Sequence, residues 1–309
     1  MIEIVSPGLF ATVQDLGRPG LAALGVGESG AADAGSLARA NHLAGNPAEA
    51  AGLELTFGGL VARFSEPATV ALAGAPCPVS VDGVGAGMDA VIELAAGAEL
   101  RVGRPSLGLR TYLAVRGGIA VPLVLGSRST DVLAGLGPGV LVKGAVLPVG
   151  AALPVGATVD TSALGATEAA GARHRPAPAG ARDEAAPWPD VPVLALVPGP
   201  RDDWFTEAAL HRLVTQPYRC TTESNRVGMR LSGLDLPRRR TGELPSEGMV
   251  RGSLQVPPSG QPILFLADHP VTGGYPVIAV VAGGDLDSAA QVRPGQSVRF
   301  ELVGAPRAP

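Results

Sequence analysis

The chain has 309 residues, 46% of them hydrophobic, enough to bury a sizeable core in one large or two moderate domains. A formal net charge of -4 leaves no electrostatic footprint for nucleic acid or an anionic membrane, and the short basic run Arg238, Arg239, Arg240 reads as a solvated turn or strand end. Cys77 and Cys220 stand far apart, without a CxxC pair or a His-rich ligand set, so neither a disulfide framework nor a metal site is expected.

The first eight residues lack the basic segment and apolar run of a secretory signal, and no later window is apolar for long enough to span a bilayer. A cytoplasmic protein is expected. The 43 glycines and 29 prolines, set among few aromatics, fit many short strands joined by tight turns better than long helices. A first helix is predicted over Asp33 to Leu43, with Asp33 as a cap, Leu37, Ala40 and Leu43 on one face, and Gly45 as a stop. Strand signals follow at Thr69 to Ala73, Val79 to Val81, Ala90 to Leu94, Glu99 to Val102, Arg110 to Val115 and Val140 to Val142.

Residues 165–190 are rich in Ala, Pro, Gly and charge with almost no apolar periodicity, which reads as a flexible linker. It divides the chain into 1–164 and 191–309. The second part repeats the strand grammar at Val193 to Val197, Pro262 to Leu266, Val277 to Val281 and Ser297 to Val303, and adds a helix after Thr206 that Pro217 ends. Regularly spaced short strands in both parts imply antiparallel barrels or sandwiches.

Gly25-Val26-Gly27-Glu28-Ser29-Gly30 matches a dinucleotide-binding pattern, but Arg18-Pro19-Gly20 interrupts the approach and no βαβ context surrounds it, so a Rossmann site is rejected. Gln14-Asp15-Leu16-Gly17-Arg18 sets an amide, a carboxylate and a guanidinium around a glycine turn; it reads either as an anion contact or as a turn closed by an Asp15–Arg18 pair. Asn41 and Asn46 read as cap or turn residues. Arg116-Gly117-Gly118 and Gly126-Ser127-Arg128-Ser129-Thr130-Asp131 could cradle an anion or serve as polar turns.

The densest polar loop is Ala267-Asp268-His269-Pro270-Val271-Thr272-Gly273-Gly274-Tyr275-Pro276, preceded by Ser246-Glu247-Gly248-Met249. His269 is a general acid or base candidate because imidazole titrates near neutrality; a turn hydrogen bond is the other reading. His42 and His211 fall on helices and His174 in the linker. Ser246 lacks a nucleophile elbow, so no Ser-His-Asp order is assigned.

These motifs, in this order, resemble the biotin-dependent carboxyltransferase family represented by the C subunit of 5-oxoprolinase, with relatives named KipA, allophanate hydrolase subunit 2 and the carboxyltransferase region of urea carboxylase. The likeness runs from Pro7-Gly8 and the Gln14 to Gly20 block, through Ala40-Asn41-His42-Leu43, Gly126 to Thr130, Ser224-Asn225-Arg226-Val227-Gly228 and Gly242 to Val281, to Arg293-Pro294-Gly295-Gln296. It implies a mainly β architecture of two cyclophilin-like β-barrel domains with a few short helices, and a cleft shared between domains or subunits. It also implies ATP-dependent opening of 5-oxo-L-proline to L-glutamate with two partners, a KipI-like B subunit together with an A subunit, the chain being inactive alone.

A lactam is a poor electrophile, and phosphorylating its oxygen would create a leaving group. On this resemblance His269, Glu247 and Tyr275 are the catalytic candidates. Gln14, Asp15, Arg18, Arg128, Ser129, Asn225 and Arg226 are the substrate or nucleotide contacts, the arginines stabilising anionic charge. Two other activities are compatible: carboxyl transfer from biotin carried on another polypeptide to a urea-like amide, and regulation by binding a KipI-like kinase inhibitor. One departure from the family pattern is Lys143-Gly144-Ala145, where relatives carry an acidic turn residue.

Overall fold

The computed structural model describes residues 1–151 and 189–303. Most of the expected linker over 165–190 therefore lies outside the described residues. In chain order the first part forms β1 (Ile2–Pro7), β2 (Phe10–Gln14), α1 (Ala34–Ala44), β3 (Gly52–Thr56), β4 (Leu60–Phe64), β5 (Ala68–Gly74) and β6 (Val79–Val81). It continues with β7 (Val84–Ala86), β8 (Val91–Leu94), β9 (Glu99–Val102), β10 (Arg110–Val115) and β11 (Val146–Leu147). The second part forms β12 (Val193–Pro198), α2 (Glu207–Thr215), β13 (Tyr218–Cys220), β14 (Gly228–Ser232), β15 (Glu247–Gly248) and β16 (Ser253–Gln255). It ends with β17 (Ile263–Phe265), β18 (Thr272–Gly273), β19 (Val277–Val281), α3 (Leu286–Ala290) and β20 (Ser297–Leu302).

Strands β1 to β11 make two sheets, ordered β11-β1-β4-β9-β6-β7 and β2-β3-β10-β5-β8. Their inner faces share one core, in which Ile4, Leu60 and Leu100 of the first sheet join the same cluster as Leu53, Leu72 and Leu113 of the second. Alternation builds that face: in β1, Ile2 and Ile4 are buried while Glu3 points to solvent. The second part closes into a barrel, β12-β19-β16-β17-β14-β13-β20, around Leu194, Leu254, Leu264, Ile278 and Phe300. Each such Leu, Ile or Phe contributes about 1.5–3 kcal/mol by leaving water. The fold is thus mainly β with few and short helices, as the strand grammar predicts.

Helix α1 forms where predicted. The Asp33 side chain accepts from Ser36 N at 2.9 Å, and Gly45 closes the far end at φ 77°, a left-handed conformation that glycine adopts freely. Small residues Ala71, Ala73 and Ala114 on the outer face of β5 and β10 make room for Leu37, Ala40 and Ala44. Thr206 caps α2 through Ala209 N.

Two differences from the sequence expectation are informative. Strands β2 and β3 escape the apolar pattern because Thr12, Gln14 and Glu54 are buried among the apolar residues. Val140 to Val142 is not a strand: Leu141 N donates to Ala11 O, but Val140 and Val142 are exposed and glycines flank the run. The Lys143-Gly144-Ala145 turn folds back on β1, with Gly144 N donating to Ile4 O at 2.7 Å and Gly144 at φ 84°.

Candidate functional site

Two motifs more than a hundred residues apart in sequence clasp each other. Asp15 Oδ1 accepts from the Ser127 hydroxyl at 2.6 Å and the Ser129 hydroxyl at 2.5 Å, and Oδ2 accepts from Arg128 N at 2.6 Å. Gln14 Nε2 donates to Thr130 O at 3.0 Å. Arg18, 2% exposed, donates to Ser129 O at 2.5 Å and Val124 O at 3.3 Å. Its partner is not Asp15: Nη1 lies 4.0 Å from Asp131 Oδ2. Gln14, Asp15, Arg18 and Ser129 therefore hold the 121–131 loop against β2. Arg128 is half-buried, with Nε on Val121 O at 2.9 Å.

A buried ionic seam joins the first part to the barrel. Arg226 forks onto Asp268, with Nε–Oδ2 and Nη2–Oδ1 both at 2.9 Å, while Nη1 meets Glu54 Oε1 at 2.5 Å and Nη2 also donates to Gly30 O. The bidentate fork is the geometry that favours Arg over Lys. Glu54 Oε2 accepts from Tyr112 Oη at 2.7 Å and Ala32 N at 2.9 Å. Burial alone would push the Glu54 carboxyl up; the Arg226 and Arg110 guanidiniums and the Ala32 N–H reverse this, and its pKa falls to about 2. Beside it, Asp33 is raised to about 6, by burial first and by the Asp287 charge second. Asp287 reaches across the seam to accept from Ala34 N and Gly35 N at the start of α1. Gln291 bridges Asp33, Leu109 and Arg110.

The shift at Asp33 has a sign. Its folded value near 6 exceeds the ordinary 3.8, so between about pH 4 and 6 the folded state binds more protons and stability falls as pH rises. Glu54 works in a lower window: its contribution is complete above its ordinary 4.5 and is lost toward pH 2. Asp33→Asn keeps a capping oxygen, and is expected to remove the decline between pH 4 and 6. Melting temperatures of both proteins across that range test it; parallel curves would dismiss the assignment.

Asp268 also ties the walls of a cleft together. It accepts from Ser29 Oγ at 2.7 Å and from Val132 N at 3.1 Å. The cleft, about 490 Å³, is lined by residues from 22–27, 131–134 and 269–272, so both parts of the chain contribute. His269 is 6% exposed, and its Nδ1 lies 2.8 Å from Pro270 O. If Nδ1 carries the proton, as that carbonyl acceptor requires, Nε2 is left with a lone pair. Asp131 Oδ1 accepts from Leu133 N and Ala134 N, both at 2.9 Å.

Of the predicted site residues, His269 lines this cleft and Arg18 backs it. Glu247 stands on the β15–β18 ribbon, its carboxyl held low by the hydrogen bond from Arg201 and by that residue's charge. Tyr275 is 46% exposed, and Asn225 closes a turn by accepting from Val227 N at 2.8 Å. None of these three lines the cleft. Sequence reasoning placed Asp131, Asp268 and Gly27 within its motifs without choosing them as site residues, and missed Glu54 altogether. Glu54 carried a signal: a lone carboxylate inside the apolar strand Gly52–Thr56 must be paired if buried.

Comparison with known proteins agrees with this architecture. The C subunit of 5-oxoprolinase from Escherichia coli is 37% identical over 303 residues, covering 97% of this chain and 90% of that protein. A solved chain, TTHA0988, superposes with a TM-score of 0.80 at 33% identity; the match covers 97% of this chain and 55% of that one. The urea amidolyase of K. lactis superposes with a TM-score of 0.82 at 27% identity, over 98% of this chain and 19% of that one. The sequence pattern described as carboxyltransferase domain, subdomain A and B, matches residues 24–302, and the chain belongs to that family.

Proposed function

We propose that this chain is the C subunit of an ATP-dependent 5-oxoprolinase, holding the lactam in the Asp131–His269 cleft while two partners, a KipI-like B subunit together with an A subunit, supply the rest of the active assembly. The observation that carries the reading is the near full-length similarity to the Escherichia coli protein. The cleft is of a size suited to a small ligand, and its volume of about 490 Å³ leaves room for more than one small ring. Within it the Nε2 lone pair of His269 can take or return a proton at the reacting amide.

The residues present do not fit the nucleotide's phosphates. No lysine or arginine is among the lining residues, and Asp131 contributes a carboxylate there. The Arg18 and Arg226 side chains are buried and turned onto protein acceptors. Of the three candidate arginines, Arg128 bonds the protein only through Nε among the described residues, while Arg18 leaves only its buried Nη1 without an acceptor. ATP therefore falls to one of the partners, and this cleft serves the lactam alone.

Carboxyl transfer is the second reading, favoured by the family description and by the likeness to urea amidolyase. Biotin would then arrive on another polypeptide. One experiment separates the two: the purified chain is assayed alone and with its A and B partners for glutamate formed and ADP released. The expected result is turnover only in the mixture. Robust turnover by the chain alone, or no gain when it joins the two partners, overturns the proposal.

A further inference from the structure

Asp131 is 2% exposed, and among the described residues only its Oδ1 accepts hydrogen bonds from the protein. The other, Oδ2, accepts no hydrogen bond from the described residues; its nearest cation is Arg18 Nη1, 4.0 Å away and itself without a hydrogen-bond acceptor. A carboxylate oxygen without a protein donor keeps its full capacity to accept from whatever enters beside it. Here Oδ2 borders the cleft, so a ligand can supply the donor.

A second acceptor converges on the same space. A β-carbon built on Gly27 would stand 3.3 Å from His269 O and 3.7 Å from Asp131 Oδ2. Gly27 does not occupy the left-handed region, so backbone geometry does not demand glycine there. What the missing side chain leaves is a gap between two oxygens that can only accept.

We infer that Asp131 Oδ2, with His269 O opposite, forms the subsite that reads the nitrogen of the substrate amide. The assignment rests on the proposed function for its reaction but not for its chemistry. A lactam nitrogen enters with one N–H for Asp131. Opening the ring breaks the C–N bond and adds the elements of water, hydroxyl to carbon and hydrogen to nitrogen. The nitrogen then carries two N–H groups as an amine and three once protonated, so two acceptors match it better as the bond breaks. Interactions that strengthen along the reaction are the ones that accelerate it. Arg18 holds the carboxylate from behind, while the Asp15 to Ser127 and Ser129 hydrogen bonds fix the loop that carries it.

The test compares a lactam with its N–H-free counterpart, 2-pyrrolidinone against γ-butyrolactone, titrated by ligand-observed NMR into the full chain. The wild-type chain should prefer the lactam by on the order of tenfold, the scale of one hydrogen bond to a charged group. Asp131→Asn should erase that preference in a chain that still folds, because asparagine keeps the oxygen that accepts from Leu133 and Ala134; the lost charge beside Arg18 lowers its melting temperature, so binding is read well below that temperature. Gly27→Ala should weaken both ligands by filling the gap. A wild-type chain that shows no preference or binds neither compound, an Asp131→Asn chain that keeps the preference, or a Gly27→Ala chain that binds as before overturns the subsite. Glutamate formation by the assembled wild-type complex is scored separately: its absence alongside an intact lactam preference removes the proposed reaction and leaves the subsite, and the reverse removes the subsite only.

Discussion

Replacing Arg226 with alanine is expected to cost about 3–5 kcal/mol of stability, the range for breaking a buried ion pair by removing one partner. The magnitude follows from what remains. Glu54 and Asp268, both almost completely buried, would lose the guanidinium lying between them, and only Arg110 Nε at 3.4 Å would still face Glu54. Arg226→Lys should recover part of the loss, since it restores the charge but not the fork onto Asp268. Urea unfolding of the three proteins measures both effects. A loss under about 1 kcal/mol, the scale of an exposed pair, would show that the seam does not hold the two parts together.

The other large effect is expected at His269. In the assembled complex, His269→Ala should lower turnover by at least about a hundredfold, the low end for a lost general acid or base. Association with the partners should survive, because the imidazole's only hydrogen bond among the described residues runs to the neighbouring Pro270 O. A structural histidine would give the opposite pattern, with a lower melting temperature and normal activity per folded molecule. Melting temperature, co-elution with the KipI-like partner and steady-state rate on one preparation decide; a stable, assembled variant at near-normal rate removes His269 from the chemistry.

How far the sequence reveals this depends on the kind of interaction. The cap at Asp33, the stop at Gly45 and the strand at Arg110–Val115 are readable because their causes are local. The loop bearing His269 is readable from its density of polar groups alone. What stays hidden is what distance conceals. Gln14-Asp15-Leu16-Gly17-Arg18 and Ser127-Arg128-Ser129 are each ambiguous between turn and anion contact, and only folding brings Asp15 onto both serines. Arg226 reads as an anion contact for the right chemical reason, since it does bind carboxylates, but they belong to Glu54 and Asp268. The Gly25 to Gly30 pattern is no nucleotide loop by its sequence context; the same segment nonetheless lines the cleft, because Gly27 makes space there.

The seam at Arg226 also bears on the order in which the molecule forms. Glu54 and Arg226 are 172 residues apart, Ser29 and Asp268 are 239 apart, and Asp287 reaches back 253 residues to Ala34. Closing loops of that length is entropically expensive and is repaid only when the sheets of the first part and the barrel already exist to present the partners. Contacts of such long sequence separation are expected to form after the transition state, and Arg226→Ala should then speed unfolding in urea while leaving the refolding rate almost unchanged. On that expectation the seam that positions the cleft also acts as a brake on unfolding.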